Sequence, residues 1–153
     1  MRRRKFIWAS AGVPFVLRGA KPPRIKAGQI GLGHPHALGK LRAIQALGDD
    51  YELVGVVEPD ESRRRSVQGV KFMSEEELLN AQELQMVAVE TRVRDLVPAA
   101  KRVVANGQHI HLDKPAGPSM AEFRELVGMA RGKNLTLQMG YMLRYNPAFE
   151  FMF

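Results

Sequence analysis

Apolar residues in this chain gather in short runs separated by longer mixed stretches. The runs Ile25–Gly31, Tyr51–Val57, Met86–Glu90, His109–Leu112 and Leu135–Met139 are four to seven residues long, and several are rich in Val, Ile and Leu. Such runs predict strands covered on both faces. A shorter candidate spans Val70–Phe72. Between the runs the period lengthens. Leu38, Leu41 and Ile44 recur every three residues and Leu47 extends the stripe, which predicts a helix. Ser74-Glu75-Glu76-Glu77 and Ser119-Met120-Ala121-Glu122 have the S-x-x-E spacing of a capping box, in which each side chain satisfies an orphan backbone donor at a helix start. Val93–Asn106 predicts a further helix, with Gly107 as its stop. Strands alternating with helices predict βαβ units, hence an α/β fold built on a doubly wound parallel sheet. Right-handed crossovers then put helices on both faces.

A chain of 153 residues with 45% hydrophobic and 25% charged side chains has the make-up of one globular domain. The longest charge-free apolar run, Phe6–Leu17, has 12 residues. A spanning helix needs about 20, so stable membrane insertion is not expected. The absence of cysteine excludes disulfides, thiolate metal sites and cysteine nucleophiles.

The net charge of +7 raises the question of a nucleic-acid partner. Residues 1–20 contain Arg2, Arg3, Arg4, Lys5 and Arg18 and no acid, which leaves +2 on everything that follows. That remainder is too small to argue for nucleic acid, and no interleaved aromatic and basic face supports one. The leader itself has a basic start, an apolar stretch and small residues at Gly19-Ala20, the layout of an export signal. Arg3-Arg4-Lys5-Phe6-Ile7 resembles the twin-arginine signal. Residues 1–20 are therefore read as an export signal to the periplasm; the alternative is a basic tail on a cytoplasmic protein. Residues 21–24, with Pro22-Pro23, form a linker.

The first strand run leads through Gly31-Leu32-Gly33-His34-Pro35-His36-Ala37 into a helix. A G-x-G at such a turn suits a dinucleotide. Gly31 permits the tight turn, Gly33 removes a side chain that would block a pyrophosphate, and the helix start offers unpaired N–H groups to that anion. His36 stands where a third glycine would allow close helix packing. His34 is expected as a donor at the pyrophosphate turn and His36 as a helix-start residue. The second strand run ends in Glu58, 25 residues beyond Gly33. An acid there accepts hydrogen bonds from the adenosine ribose. Its charge favours NAD over NADP, although Arg63, Arg64 and Arg65 stand close enough to offset the repulsion of a 2′-phosphate.

Three segments together resemble the N-terminal half of the Gfo/Idh/MocA family of nicotinamide-dependent oxidoreductases. They are the glycine turn with Glu58, the segment Gly107-Gln108-His109-Ile110-His111-Leu112-Asp113-Lys114-Pro115, and Gly140-Tyr141-Met142-Leu143-Arg144-Tyr145-Asn146-Pro147. The second is similar to the family's E-K-P signature, with Asp113 in place of Glu. Thr91 matches the start of the family's T-P-x-x-x-H loop, with Arg92 and Leu96 in place of the proline and histidine. The resemblance implies a Rossmann domain over residues 25–140. It also implies that residues 141–153 begin a connection to a second α/β domain, absent from this chain. The activity implied is hydride transfer between NAD(P) and a secondary alcohol of a sugar-like or cyclitol-like substrate. Lys114 would lie beside the nicotinamide and the reacting hydroxyl, with Thr91 and Asp113 as further cofactor contacts. On this reading the chain is a fragment, inactive by itself, of an enzyme with room for a homo-oligomer built through the missing domain.

Two other functions compete. One is a non-catalytic nucleotide-binding or partner-binding module. The other is a metal-dependent hydrolase, because the four histidines form two H-x-H pairs, His34/His36 and His109/His111. Positions i and i+2 of a strand share a face, so His109, His111 and Asp113 could converge on a metal. The barrels that commonly host such sites need about 250 residues, and no metal is expected.

Overall fold

The computed structural model describes residues 22–152. The twin-arginine-like segment lies outside the described residues. Five strands, β1 (Ile25–Ile30), β2 (Tyr51–Val57), β3 (Met86–Val89), β4 (His109–Leu112) and β5 (Leu137–Met139), form one parallel sheet in the order β2-β1-β3-β4-β5. The helices are α1 (Ala37–Ala46), α2 (Glu61–Arg64), α3 (Glu75–Leu79), α4 (Val93–Ala105) and α5 (Met120–Gly132). A 3₁₀ turn over Met142–Tyr145 and α6 (Pro147–Met152) follow. Among the described residues no helix is long and apolar enough to cross a membrane.

Val70–Phe72 does not become a full strand. Gly69 turns the chain with φ +71°, and Ser74 already caps α3, so only the bridge Val56–Phe72 forms. Counted as a rudimentary strand, it completes the order 3-2-1-4-5-6 of the doubly wound dinucleotide sheet. The chain reverses direction across the sheet between β1 and β3, and ligands of open α/β sheets bind at that switch point.

Helix ends follow the local chemistry. Ser74 and Glu77 form the full capping box, whereas Ser119 Oγ accepts from the Glu122 N–H at 3.3 Å. After α4, Gly107 takes φ +93°, its N–H reaches the Val104 carbonyl, and the Gln108 N–H reaches Val103. Asn134 ends α5 the same way, with φ 55° and the Leu135 N–H on Ala130. That bond keeps Leu135 with the helix end, so β5 starts two residues later than the hydrophobic run predicts.

Each sheet face has its own cover. Val87, Val89, Ile110 and Leu112 pack beneath Leu78 of α3, the Leu96-Val97 and Val103-Val104 pairs of α4, and Leu126 of α5. On the other face the strands present Ala27 and Ala88, which lets α1 approach with Ala37, Leu41 and Ile44. Leu38 and Leu47 of the expected stripe are exposed, because Ala37 rather than Leu38 leads the buried face.

Two glycines predict opposite outcomes on gaining a methyl group. A Cβ at Gly28 would lie 2.7 Å from the fully buried Leu78 side chain. Gly28→Ala should therefore lower stability by about 1–3 kcal/mol in urea denaturation. Gly39 lies inside α1 with nothing within 4 Å, so Gly39→Ala should raise stability by about 0.5–1 kcal/mol.

Candidate functional site

The turn after β1 is pinned at every step. Gly31 has φ +92° and passes so close to β3 that a Cβ would lie 2.8 Å from Thr91 Cα and N. Its N–H reaches the Val57 carbonyl at 2.7 Å. The Leu32 N–H donates to Glu58 Oε2 at 2.6 Å, and the His34 N–H to the Glu90 carbonyl at 2.9 Å. The fully buried Gln29 reaches back beneath the turn, its Nε2 donating to the carbonyls of Gly31 and Ala37. At Gly33 a Cβ would press on Arg92 N and Cγ at 3.2 Å. The room expected there for a pyrophosphate is thus narrowed by the start of α4. Close packing of α1, for which the third glycine is missing, is supplied by the fully buried Ala37.

On the α4 side of the turn lies a cavity of about 520 Å³. Its walls include Gly31, Gly33, Glu58, Thr91, Arg63 and Arg92. Glu58 is 2% exposed, and its Oε1 also accepts the Asp60 N–H at 2.9 Å and lies 3.6 Å from Arg63 Nη1. Arg64 donates to the Glu58 carbonyl and stacks its guanidinium over Phe72 at 5.6 Å. The acid therefore stands in the cavity wall while also holding the glycine turn. Leu96, at the position where the family carries histidine, is fully buried in the core.

On the opposite side of the turn, four ionisable groups meet. Glu90, the residue after β3, is fully buried, and Asp113, the residue after β4, is 1% exposed. His36 Nδ1 lies 3.2 Å from both Asp113 carboxylate oxygens. His34 Nδ1 lies 3.6 Å from Asp113 Oδ2 and 3.7 Å from Glu90 Oε2. His34 Nδ1 also accepts the His36 N–H at 3.2 Å, which assigns the ring proton to Nε2, donating to the Lys114 carbonyl at 2.9 Å. The His34 ring is thus buried and turned inward, not outward as a pyrophosphate donor. His36 is the helix-start residue expected, without a side-chain cap.

Burial, helped by the Asp113 charge, pushes the Glu90 carboxyl up to about 8. Burial also works against the Asp113 anion, but the Lys114 N–H, His36 and Glu90 outweigh it and hold Asp113 below the usual carboxylate range. At neutral pH Glu90 is accordingly the acid and Asp113 the carboxylate. Lys114 is exposed, and the Lys114–Pro115 bond is cis. Asp113 accepts the Lys114 backbone N–H at 2.6 Å, and among the described residues no acid pairs with the ammonium.

His109, His111 and Asp113 share a face of β4 but do not converge. His109 Nδ1 accepts the Thr136 N–H at 2.9 Å, and His111 Nδ1 faces Gln138 Oε1 at 3.2 Å. Burial, with the Lys40 charge, lowers the His111 pKa and leaves the ring neutral at pH 7. Asp113 turns instead to His34 and His36. Gln29 and Glu90 escape the sequence reading. The available signal was a lone polar residue inside the β1 run and an acid closing the β3 run.

Similarity to known proteins agrees with this layout. The family model described as an oxidoreductase family with an NAD-binding Rossmann fold, Gfo/Idh/MocA, matches residues 25–141. The chain belongs to that family. It is 28% identical over 132 residues to UDP-N-acetylglucosamine 3-dehydrogenase of Acidithiobacillus ferrooxidans, covering 84% of this chain and 40% of that protein. It is 30% identical over 81 residues to the uncharacterized oxidoreductase YhhX of Escherichia coli, covering 52% and 24%. The WlbA dehydrogenase of Chromobacterium violaceum, solved with NADH and UDP-GlcNAcA, shares the fold with a TM-score of 0.77 at 19% identity, over 87% of this chain and 39% of that one. The chain thus spans about 40% or less of the length of these relatives.

An acid whose folded pKa lies above its unfolded value takes up a proton on folding. Its contribution is present below about pH 4.5 and is lost as pH rises towards 8. In EDTA-treated protein the folding equilibrium should weaken by up to tenfold per pH unit across that window. Glu90→Gln, which mimics the protonated acid, should flatten the slope and be the more stable protein above pH 8. An unchanged slope in the variant would place the titration elsewhere.

Proposed function

We propose that this chain is the cofactor half of a dehydrogenase that moves hydride between NAD and a secondary alcohol on a sugar-like substrate. The observation that carries this reading is the division of the switch point. A cavity walled by the acid that ends β2 lies on one side of the glycine turn, and an exposed Lys114, unpaired among the described residues, lies on the other. The adenosine would fill the cavity, with its ribose hydroxyls on Glu58. The pyrophosphate would follow Gly31, Gly33 and the start of α1 at His36, and the nicotinamide would sit beside Thr91, Asp113 and Lys114. NAD supplies the hydride chemistry when bound. Lys114 Nζ hydrogen-bonds the reacting hydroxyl and aids its deprotonation, and Asp113 holds the lysine backbone in place through the 2.6 Å bond. Two relatives named for, or solved with, UDP-linked amino sugars support a sugar nucleotide as the substrate of the longer protein. Arg63 and Arg92 at the cavity leave room for NADP beside NAD.

Calorimetric titration of the chain with NAD and NADP is the direct test. Saturable NAD binding should weaken about 10- to 100-fold in Glu58→Gln, the loss of a hydrogen bond to a charged acceptor. Lys114→Met should retain NAD binding, while the longer protein carrying it loses about 100-fold or more in turnover. No binding of either dinucleotide would favour a module without cofactor chemistry. For residues 1–20 we propose the twin-arginine export route. A fusion of residues 1–24 to a folded reporter should reach the periplasm only with Arg3 and Arg4 intact, and export of an Arg3→Lys, Arg4→Lys fusion would sink that proposal.

A further inference from the structure

The geometry points to a divalent transition-metal site formed by His34, His36 and Asp113, with the Glu90 carboxyl beside His34 as a further ligand, of the kind that takes Zn²⁺. The ligand atoms of His34, His36 and Asp113 all lie within 4.8 Å of one another. The separations of 3.2 Å (His36 Nδ1 to Asp113 Oδ1), 3.6 Å (His34 Nδ1 to Asp113 Oδ2) and 3.7 Å (His34 Nδ1 to Glu90 Oε2) are edges of one small polyhedron. A tetrahedral ion with bonds of about 2.0–2.1 Å has ligands roughly 3.3 Å apart, so small side-chain adjustments close the site.

Three further observations support a cation there. The first is the outer hydrogen bonding. His34 donates Nε2–H to the Lys114 carbonyl at 2.9 Å, which fixes the ring and leaves Nδ1 an acceptor; an ion would replace the His36 N–H that Nδ1 accepts at 3.2 Å. Asp113 is similarly oriented by the Lys114 N–H at 2.6 Å. The second is Glu90, fully buried, with no donor on either carboxylate oxygen among the described residues and Oε2 directed to His34. The third is charge. The Asp113 carboxylate is buried, and a cation beside it cancels its charge where little water reaches. His36, with 28% of its side chain exposed, provides the entry side. Imidazole nitrogens with carboxylate oxygens select zinc and its first-row neighbours over magnesium or calcium. This inference does not rest on the hydride-transfer reading and stands or falls without NAD.

The test is a titration of the EDTA-treated full chain with Zn²⁺ against a chromophoric chelator, together with Co²⁺ absorption. One ion per chain should bind with a dissociation constant below 1 μM (on the order of tenfold tighter or more), and Co²⁺ should develop the visible bands of a four-coordinate N/O site. His36→Ala and Glu90→Gln should each weaken binding at least 10- to 100-fold. His109→Ala, altered about 13 Å away at the other end of β4, should bind as the parent does. Circular dichroism checks that each variant is folded, and the Co²⁺ spectrum of the parent reads the site should a variant unfold. Absence of saturable binding, or equal losses in His109→Ala and His36→Ala, overturns the proposal. NAD titration of the same EDTA-treated protein separates a failed metal site from a failed cofactor site.

Discussion

Three carboxyl side chains at the ends of neighbouring strands, almost entirely withdrawn from water, hold the turn on which this domain depends. Glu58 closes β2, Glu90 closes β3 and Asp113 closes β4, with exposures of 2%, 0% and 1%. A buried carboxyl group is costly unless something donates to it or neutralises it. The turn after β1 lies among all three and supplies partners for two of them: the Leu32 N–H for Glu58, and the ring of His36 for Asp113. The same contacts that lower the cost of burying the acids leave the turn few alternative paths. Gly31 is then required, because the turn passes within van der Waals contact of Thr91.

How far this was legible in the sequence depends on the range of the interaction. Period-two and continuous apolar runs located all five strands, and the positive φ of Gly107 and the box at Ser74 followed from local composition. The strand order is seen only in the folded sheet. The site divides similarly. Glu58 and Gly31 were readable because turn, helix, strand and acid form one local unit. The meeting of His36 with Asp113 was not, since 77 residues separate them and only the closed sheet brings β1 and β4 to one edge. The i, i+2 rule for β4 placed His109, His111 and Asp113 on one face correctly. It could not show that Thr136, Gln138 and His36 draw them to different partners. Nor could it reveal Gln29, whose importance lies in two carbonyls it reaches beneath the turn.

The folded charge is arranged, not merely reduced. Beyond the first 20 residues the chain is nearly balanced, yet the cavity wall carries Arg63, Arg64, Arg92 and Arg102 against Glu58, Glu75 and Asp95, while the far side gathers Glu90 and Asp113. Arg102 is spent on Glu75, Arg64 on the Glu58 carbonyl and Arg63 on Glu58 and Asp60, so among the described residues Arg92 faces the opening with the most freedom. A dinucleotide laid across such an edge, as proposed, would find cations where its phosphates lie and acids where an oxidised nicotinamide carries positive charge. The polarity of the edge would then set the direction of the ligand before any single hydrogen bond does.

The buried pair at the far side carries that argument one step further. Glu90 and Asp113 cannot both ionise in so dry a place, so something positive must sit between them and the histidines. A proton satisfies one carboxyl and leaves His34 Nδ1 on the His36 N–H and the His36 ring on Asp113. A divalent ion satisfies all four groups at once, at the cost of expelling that proton. Either occupant holds the Asp113 carboxylate in register with the Lys114 N–H, and so keeps the exposed lysine at the strand end. The two occupants differ in what they leave beside it: a neutral acid that titrates near pH 8, or a fixed cation whose charge is independent of pH. Which one the protein carries therefore determines the field around Lys114.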